Sequence, residues 1–145
     1  MTEVAATPQL QFTLDCAEPH DQAKFWAAAL GYAVERNGDL IQKMIDEGFA
    51  TDADITTVDG ELEWLDAAAM SDPDGRRPRW FFQRVPESKI FKNRMHVDVE
   101  VGTDRVAAEV ARLEALGASR LHEGRQGPHT WVTMADPEGN EFCVA

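Results

Sequence analysis

The amino-acid sequence predicts an α+β fold made of two βαβββ modules. Three paired features carry that prediction. Runs that alternate in polarity stand at Gln11-Phe12-Thr13-Leu14-Asp15-Cys16 and at His96-Val97-Asp98-Val99-Glu100-Val101. Each leads through a turn into a helical pattern that stops on the same step, Ala29-Leu30-Gly31 and Ala115-Leu116-Gly117. Each half then carries an Asp-Pro-acid-Gly turn ahead of a strand-like run, Asp72-Pro73-Asp74-Gly75 and Asp136-Pro137-Glu138-Gly139. A repeated order of this kind is expected to build one core from two equivalent units, with equivalent positions placed around a shared cleft.

Taken in order, Gln11 to Cys16 has the period-2 pattern of a half-buried strand. Phe12, Leu14 and Cys16 point to one side, Gln11, Thr13 and Asp15 to the other. A helix follows, with Pro19 suited to its first turn, the acids Glu18 and Asp21 near its positive end, and Gly31 as its stop. Ala23, Trp26, Ala27 and Leu30 form its apolar face. Tyr32 to Arg36 reads as the second strand. Residues 39–48 read as an inserted helix with Leu40, Ile41, Met44 and Ile45 on one face, and the acidic stretch Thr51 to Gly60 as a loop. Glu61 to Met70 resumes as strand. The Asp72 turn feeds Arg79 to Val85, rich in aromatics, and Pro86 to Arg94 links the halves. In the second module His96 to Val101 is a strand and Thr103 or Asp104 a helix cap. Val106, Val110, Leu113 and Leu116 form the buried stripe of that helix. Strands are expected at Ala118 to His122, Thr130 to Met134 and Glu141 to Val144. The expected organisation is a single domain over 1–145, with modules at 8–86 and 95–145 and a helical insertion at about 38–70.

Composition narrows the function classes. Of 145 residues, 43% are hydrophobic and 28% charged, the profile of an ordinary globular protein. The net charge of −12 argues against nucleic acid or an anionic membrane as partner, since neither accepts an acidic surface that lacks a basic patch. No apolar run approaches the ~20 residues that cross a bilayer. Met1-Thr2-Glu3-Val4 lacks the basic start and apolar stretch of a signal peptide, so the cytoplasm is the expected compartment. Cys16 and Cys143, one in each half, do not suggest a disulfide framework.

Four segments carry a family likeness: Phe25-Trp26-Ala27-Ala28-Ala29-Leu30-Gly31, Phe82-Gln83-Arg84-Val85-Pro86-Glu87, Lys92-Asn93-Arg94-Met95-His96-Val97-Asp98, and Asp136-Pro137-Glu138-Gly139-Asn140-Glu141-Phe142-Cys143-Val144. With the two βαβββ modules they resemble the vicinal-oxygen-chelate superfamily, which includes glyoxalase I, extradiol dioxygenases, fosfomycin-resistance and bleomycin-binding proteins. Within it they look like the bacterial glyoxalase-like domain branch. The resemblance implies a curved, half-open barrel, a homodimer and a small-molecule ligand or substrate. It specifies fold well and reaction poorly.

Members of that superfamily that bind a metal place one ligand on the first and last strand of each module. Aligning the halves carries these positions onto Gln11, Gln83, His96 and Cys143, with Phe82 the neighbouring alternative to Gln83 because Arg76-Arg77-Pro78 lengthens the turn. Mg²⁺ or Mn²⁺ wants carboxylate oxygen, which this set lacks. Zn²⁺ would accept His96 and a Cys143 thiolate, two strong ligands where three are usual. No cofactor is therefore favoured; a divalent metal, if bound, would use Gln11 and His96. His96 beside Asp98 has the form of an oriented general base, and Cys143 near His96 that of an activated nucleophile. Trp64, Phe81 and Trp131 offer flat walls for an aromatic ligand. Gln11, Thr13, Gln83, Arg94 and Cys143 complete the expected ligand-binding set. Three readings follow: a sequestering cleft protein of the resistance type, a metal-dependent lyase, isomerase or dioxygenase, and a metal-free enzyme built on His96.

Overall fold

The structure, a computed structural model, describes residues 6–145; the signal-peptide reading concerns residues outside them. The first module runs β1 (Gln11–Cys16), α1 (Pro19–Leu30), β2 (Ala33–Val34), then an inserted unit, then β5 (Ala67–Ser71) and β6 (Arg79–Arg84). The inserted unit is α2 (Gly38–Asp46), a 3₁₀ turn at Asp52–Asp54, and the hairpin β3 (Ile55–Val58) with β4 (Glu61–Trp64). The second module runs β7 (Asp98–Val99), α3 (Val106–Leu116), β8 (Ser119–Gln126), β9 (His129–Ala135) and β10 (Glu141–Val144).

The duplication predicted from sequence is present in the topology. The sheet orders are β1-β6-β5-β2 and β7-β10-β9-β8, so each module places its last strand beside its first. That contact is parallel in both modules, and the remaining ladders are antiparallel. Among the described residues no ladder joins the two sheets, so the barrel is open.

Helix α1 forms where the sequence signals it, with Pro at its first turn and Gly31 in the left-handed region (φ 71°) as its stop. Its N-terminus is capped from the other module. The Glu138 carboxylate accepts the backbone N–H groups of Ala17 (2.6 Å) and Glu18 (3.0 Å), placing negative charge at the positive end of the helix. The helix then buries Phe25 and Trp26 between the two sheets. The Trp26 ring lies 5.1 Å from Trp80 and 5.0 Å from Phe142, centroid to centroid, so one indole packs against the last strand of each module. Trp80, Phe82 and Phe142 are buried, as their side of the strand predicts.

A second inter-module tie is polar. Asp136, in the turn before β10, is buried and accepts Gln22 Nε2 (2.8 Å) and Trp26 Nε1 (3.0 Å) from α1. It also accepts the backbone N–H groups of Glu138 and Asn140, and Asn140 Nδ2. The equivalent Asp72 of the first module instead accepts Asp74, Arg76 and Arg77 backbone N–H groups and the Arg77 guanidinium. The two turns share the Asp-Pro-acid-Gly pattern and both meet α1: Asp136 binds Gln22 and Trp26 directly, whereas Asp72 acts through Arg77, which donates to the Leu30 and Gly31 carbonyls at the end of the helix.

Several expected boundaries change. The stretch 51–60 is not a loop: Ile55 to Val58 is β-branched enough to pair with β4 across an Asp59-Gly60 turn with φ of 51° and 83°. The single strand expected over Glu61 to Met70 is cut at Leu65–Asp66 into β4 and β5, which belong to different sheets. The second strand shrinks from Tyr32–Arg36 to Ala33–Val34. A 3₁₀ turn at Thr103–Arg105 precedes α3, and neither Thr103 nor Asp104 caps it through its side chain. On α3, Val110 and Leu113 are buried while Leu116 is exposed.

Candidate functional site

The sheet face that α3 does not cover carries a cavity of about 410 Å³ in the second module. Its lining brings together His96, Asp98 and Cys143 with Trp131, four residues that the sequence singles out. Strand register explains the convergence. Asp98 pairs with Cys143 across the parallel β7–β10 ladder, and Cys143 pairs with Thr133 on β9. Trp131 stands two residues before Thr133, on the same face. Val97 and Val99 carbonyls accept the Cys143 and Ala145 N–H groups, fixing the segment that carries His96 just ahead of β7.

His96 Nδ1 lies 3.2 Å from Asp98 Oδ1. With the proton on Nδ1 this bond leaves Nε2 as a free lone-pair donor. One nitrogen of His96, one carboxylate oxygen of Asp98 and Cys143 Sγ all lie within 4.8 Å of one another. The Thr133 hydroxyl is 3.6 Å from Cys143 Sγ. On one rim Glu141 accepts Lys89 Nζ (3.0 Å) and the Asn93 N–H (3.0 Å). Burial raises the Glu141 carboxyl, but those donors outweigh it and hold its pKa down at about 2.

Trp131 is placed by a glycine. It pairs directly with Gly124 on β8. A Cβ added to Gly124 would fall 2.1 Å from the indole Cε2 and 2.2 Å from Nε1. The indole occupies the space a side chain would need, so it lies across the edge strand.

The other expected site residues sit elsewhere. Gln11, Thr13, Phe81 and Gln83 share the corresponding face of the first module, on β1 and β6. There Gln11 Oε1 accepts Arg79 Nη1 (2.9 Å), and Arg79 also binds Glu35 through Nε (2.7 Å) and Nη2 (3.0 Å). The Arg79 hydrogen bond leads in holding the Glu35 carboxyl below its usual range, and the Ser71 hydroxyl adds to it. The register pairs Thr13 with Phe81 as it pairs Asp98 with Cys143. Phe81 therefore stands where Cys143 stands in the second half, two residues short of Gln83 and one short of Phe82. Trp64 lines a depression beside Phe49 and Ala67, away from the His96 cavity, and Arg94 is exposed on the linker outside its lining.

Sequence reasoning misses His122, which it reads only as the end of the strand expected over Ala118 to His122 and which lines the cavity. The cause is a bulge. Register shifts between Arg120 and His122, so Leu121 is left over and His122 pairs with Thr133. Simple alternation along β8 puts His122 on the wrong face. Glu100, two residues beyond Asp98, shares its parity on the sequence and lines the cavity as that parity predicts.

The donor set changes the arithmetic of metal binding. Two strong ligands are expected from sequence; the structure adds Asp98 as a third beside His96 and Cys143. One nitrogen, one carboxylate oxygen and one sulfur suit a borderline ion of the Zn²⁺ class and suit Mg²⁺ or Mn²⁺ poorly. Gln11, expected as the second ligand, lies in the other module bound to Arg79. Two larger depressions, of about 630 and 820 Å³, lie between α3 and the β8–β9 hairpin and at the inter-module joint. Neither gathers such a set.

No curated protein matches the sequence significantly. Solved structures do match in fold. A glyoxalase/bleomycin resistance protein/dioxygenase family enzyme from Burkholderia phytofirmans is 13% identical, with TM-score 0.59 over 92% of this chain and 94% of that one. The fosfomycin resistance protein FosX of Listeria monocytogenes, solved with Mn(II) and a dihydroxypropylphosphonic acid, is 12% identical. Its TM-score is 0.61 over 98% of this chain and 92% of that one. FosX of Mesorhizobium loti gives 0.58 at 9% identity, over 98% and 91% of the two chains. These likenesses speak for the fold. Residues 11–145 match the glyoxalase-like domain, nearly the whole sequence, and the chain belongs to that family.

Proposed function

We propose that this protein binds a small, flat organic molecule in the second-module cavity. Trp131 serves as the stacking wall and the His96–Asp98 pair as the polar anchor. The observation that carries the reading is the convergence of an indole, an oriented imidazole and a thiol on one concave face, in a cavity sized for a small ligand. In the first module the polar groups on the matching face are bonded to one another through Arg79, which leaves fewer free to meet a ligand. The test is calorimetric titration with planar heteroaromatic compounds on wild type, His96→Ala and Trp131→Leu. Binding that weakens in both variants supports the reading. Binding that survives Trp131→Leu unchanged places the ligand elsewhere and overturns it.

A second reading rests on the three donors within 4.8 Å. We propose that His96, Asp98 and Cys143 can hold a Zn²⁺-class ion with an open position facing the cavity. Such an ion would polarise a ligand oxygen. His122 and Thr133, which share the lining, would then orient the ligand. Co²⁺ added to the metal-free protein should give a sulfur-to-cobalt charge-transfer band that Cys143→Ser abolishes. Absence of that band in the wild type refutes the reading without reference to turnover.

The family resemblance supports a homodimer in the cytoplasm. Exposed Ile90, Phe91 and Met95 on the linker offer apolar surface for a second copy, and two free cysteines suit a reducing compartment. Light scattering at micromolar concentration tests the dimer: a monomer mass refutes it.

A further inference from the structure

The cavity's charge and its aromatic wall point together to a ligand class. We infer that the second-module cavity selects a positively charged flat molecule, a protonated or quaternised nitrogen heterocycle, over neutral and anionic molecules of the same shape. This rests on the reading of the cavity as a ligand site and goes beyond it in naming the charge.

Two independent features carry the inference. The first is the balance of ionic groups in the lining. Asp98, Glu100 and Glu141 face the cavity against Lys92 alone. Glu141 is already matched by Lys89 at 3.0 Å. Lys92 turns its ammonium to the neighbouring Asn93 carbonyl at 3.5 Å. Asp98 has the His96 imidazole as its contact, and Glu100 is exposed at the cavity. Among the described residues Glu100 is thus the lining acid with no cation or imidazole at it, and in a chain of net charge −12 it biases the cavity toward cations.

The second feature is steric. Trp131 carries the aromatic side chain best suited to a cation–π contact. Its indole is held down by the missing side chain of Gly124, whose Cβ would meet the ring at 2.1–2.4 Å. Among the described residues it is the one glycine whose added Cβ would strike a ring, and its φ is not in the left-handed region, so the space and not the backbone conformation calls for glycine there. A flat indole and the free Glu100 carboxylate on one cavity lining are complementary to a flat cation: the π face meets its ring and the negative charge its positive nitrogen.

Three probes of equal shape test this: N-methylquinolinium (cation), naphthalene (neutral) and 2-naphthoate (anion), titrated calorimetrically at low salt. N-methylquinolinium should bind at least about tenfold more tightly than 2-naphthoate, with the gap closing in high salt. Trp131→Leu should weaken all three. Glu100→Gln should narrow the cation preference severalfold, with an unchanged far-UV circular dichroism spectrum showing that the variant folds. Equal binding of cation and anion, still lost in Trp131→Leu, overturns the charge selection while leaving the ligand site standing. No binding of either charged probe at millimolar concentration, and none of naphthalene up to its solubility limit, overturns both.

Discussion

Replacing Asp136 with alanine should remove a large share of the protein's stability, because one buried carboxylate holds the two modules together. Asp136 is 3% exposed. Its Oδ2 accepts Gln22 Nε2 at 2.8 Å, Trp26 Nε1 at 3.0 Å and Asn140 Nδ2 at 2.9 Å. Its Oδ1 accepts the Glu138 and Asn140 N–H groups, both at 2.9 Å. Alanine leaves four buried donors without a partner: the Gln22 amide, the Trp26 indole, the Asn140 N–H and the Asn140 side-chain amide. At ~1–3 kcal/mol for each buried donor left unsatisfied, the loss should be about 4 kcal/mol. A domain of this size has only ~5–15 kcal/mol in total. Asparagine keeps the volume and one acceptor but turns an NH₂ toward the other donors, and should cost about half as much. Urea unfolding followed by far-UV circular dichroism and tryptophan fluorescence measures both. The discriminating measurement is a double-mutant cycle with Trp26→Phe, which removes the indole donor and keeps the ring. If the bond matters, Trp26→Phe should cost at least ~1 kcal/mol less in the Asp136→Ala background than in wild type. A loss under ~1 kcal/mol for Asp136→Ala, or strict additivity in the cycle, refutes the idea that this carboxylate docks α1 on the second module.

Three further outcomes follow from the geometry. Gly124→Ala should cost ~1–2 kcal/mol and change the near-UV circular dichroism, because the new methyl would collide with the indole at 2.1 Å. The penalty should vanish when Trp131 is already leucine, and an unchanged spectrum for Gly124→Ala would show that the contact is not what places Trp131. A thiol reagent at pH 8 should modify one cysteine of the native protein. Burial pushes the Cys16 thiol up to about 12, while Cys143 lies in the cavity wall. Cys143→Ser should therefore abolish labelling, and two reactive thiols would contradict the packing of β1 against β6. Glu141 has a folded pKa of about 2 against an ordinary 4.5, so its stabilisation is complete above about 4.5 and is lost as pH falls towards 2. Denaturant midpoints between pH 5 and pH 2.5 should fall less steeply in Glu141→Gln than in wild type, and parallel profiles would remove Lys89 and Asn93 as the cause.

The duplication was legible because it lives in packing residues. Apolar positions one residue apart from the polar ones, and a glycine forced by each helix stop, leave a periodic signature that survives divergence. Parity alone sends Trp80, Phe82 and Phe142 to the core side of their strands, and they are buried. The insertion was harder to read. Its hairpin depends on Asp59-Gly60, which in a run of acids looks like loop composition, and on a strand break at Leu65–Asp66 that no glycine or proline marks. His122 was hidden by a bulge, an event in the hydrogen-bond ladder and not in the residue pattern. Glu138 and Asp136 were read as turn residues because their partners on α1 lie about 110–121 positions away in sequence. Local patterning has no access to contacts at that separation.

The two modules repeat the same ladder and have been filled in opposite ways. Gln11 and His96 start equivalent segments, Thr13 and Asp98 follow, and Phe81 and Cys143 face them from the last strand. In the first module that row is tied off: Arg79 reaches Gln11 on one side and Glu35 on the other, and Ser71 completes the set. A guanidinium bound on both sides has few donors left for a ligand, and Phe81 fills the place of a reactive group under it. In the second module, among the described residues, no arginine lines the cavity. The imidazole keeps a nitrogen clear of the Asp98 contact, the thiol has the Thr133 hydroxyl at 3.6 Å as its hydrogen-bond partner among the described residues, and a glycine lets the indole lie down so that the cavity stays open. The polar groups of the second face are exposed or half-exposed and have fewer partners inside the chain, which leaves them to meet water or a ligand. The asymmetry between two copies of one motif is thus an asymmetry of hydrogen-bond satisfaction. On that ground the second face is the one expected to meet a ligand, and the first the one that holds the scaffold beneath it.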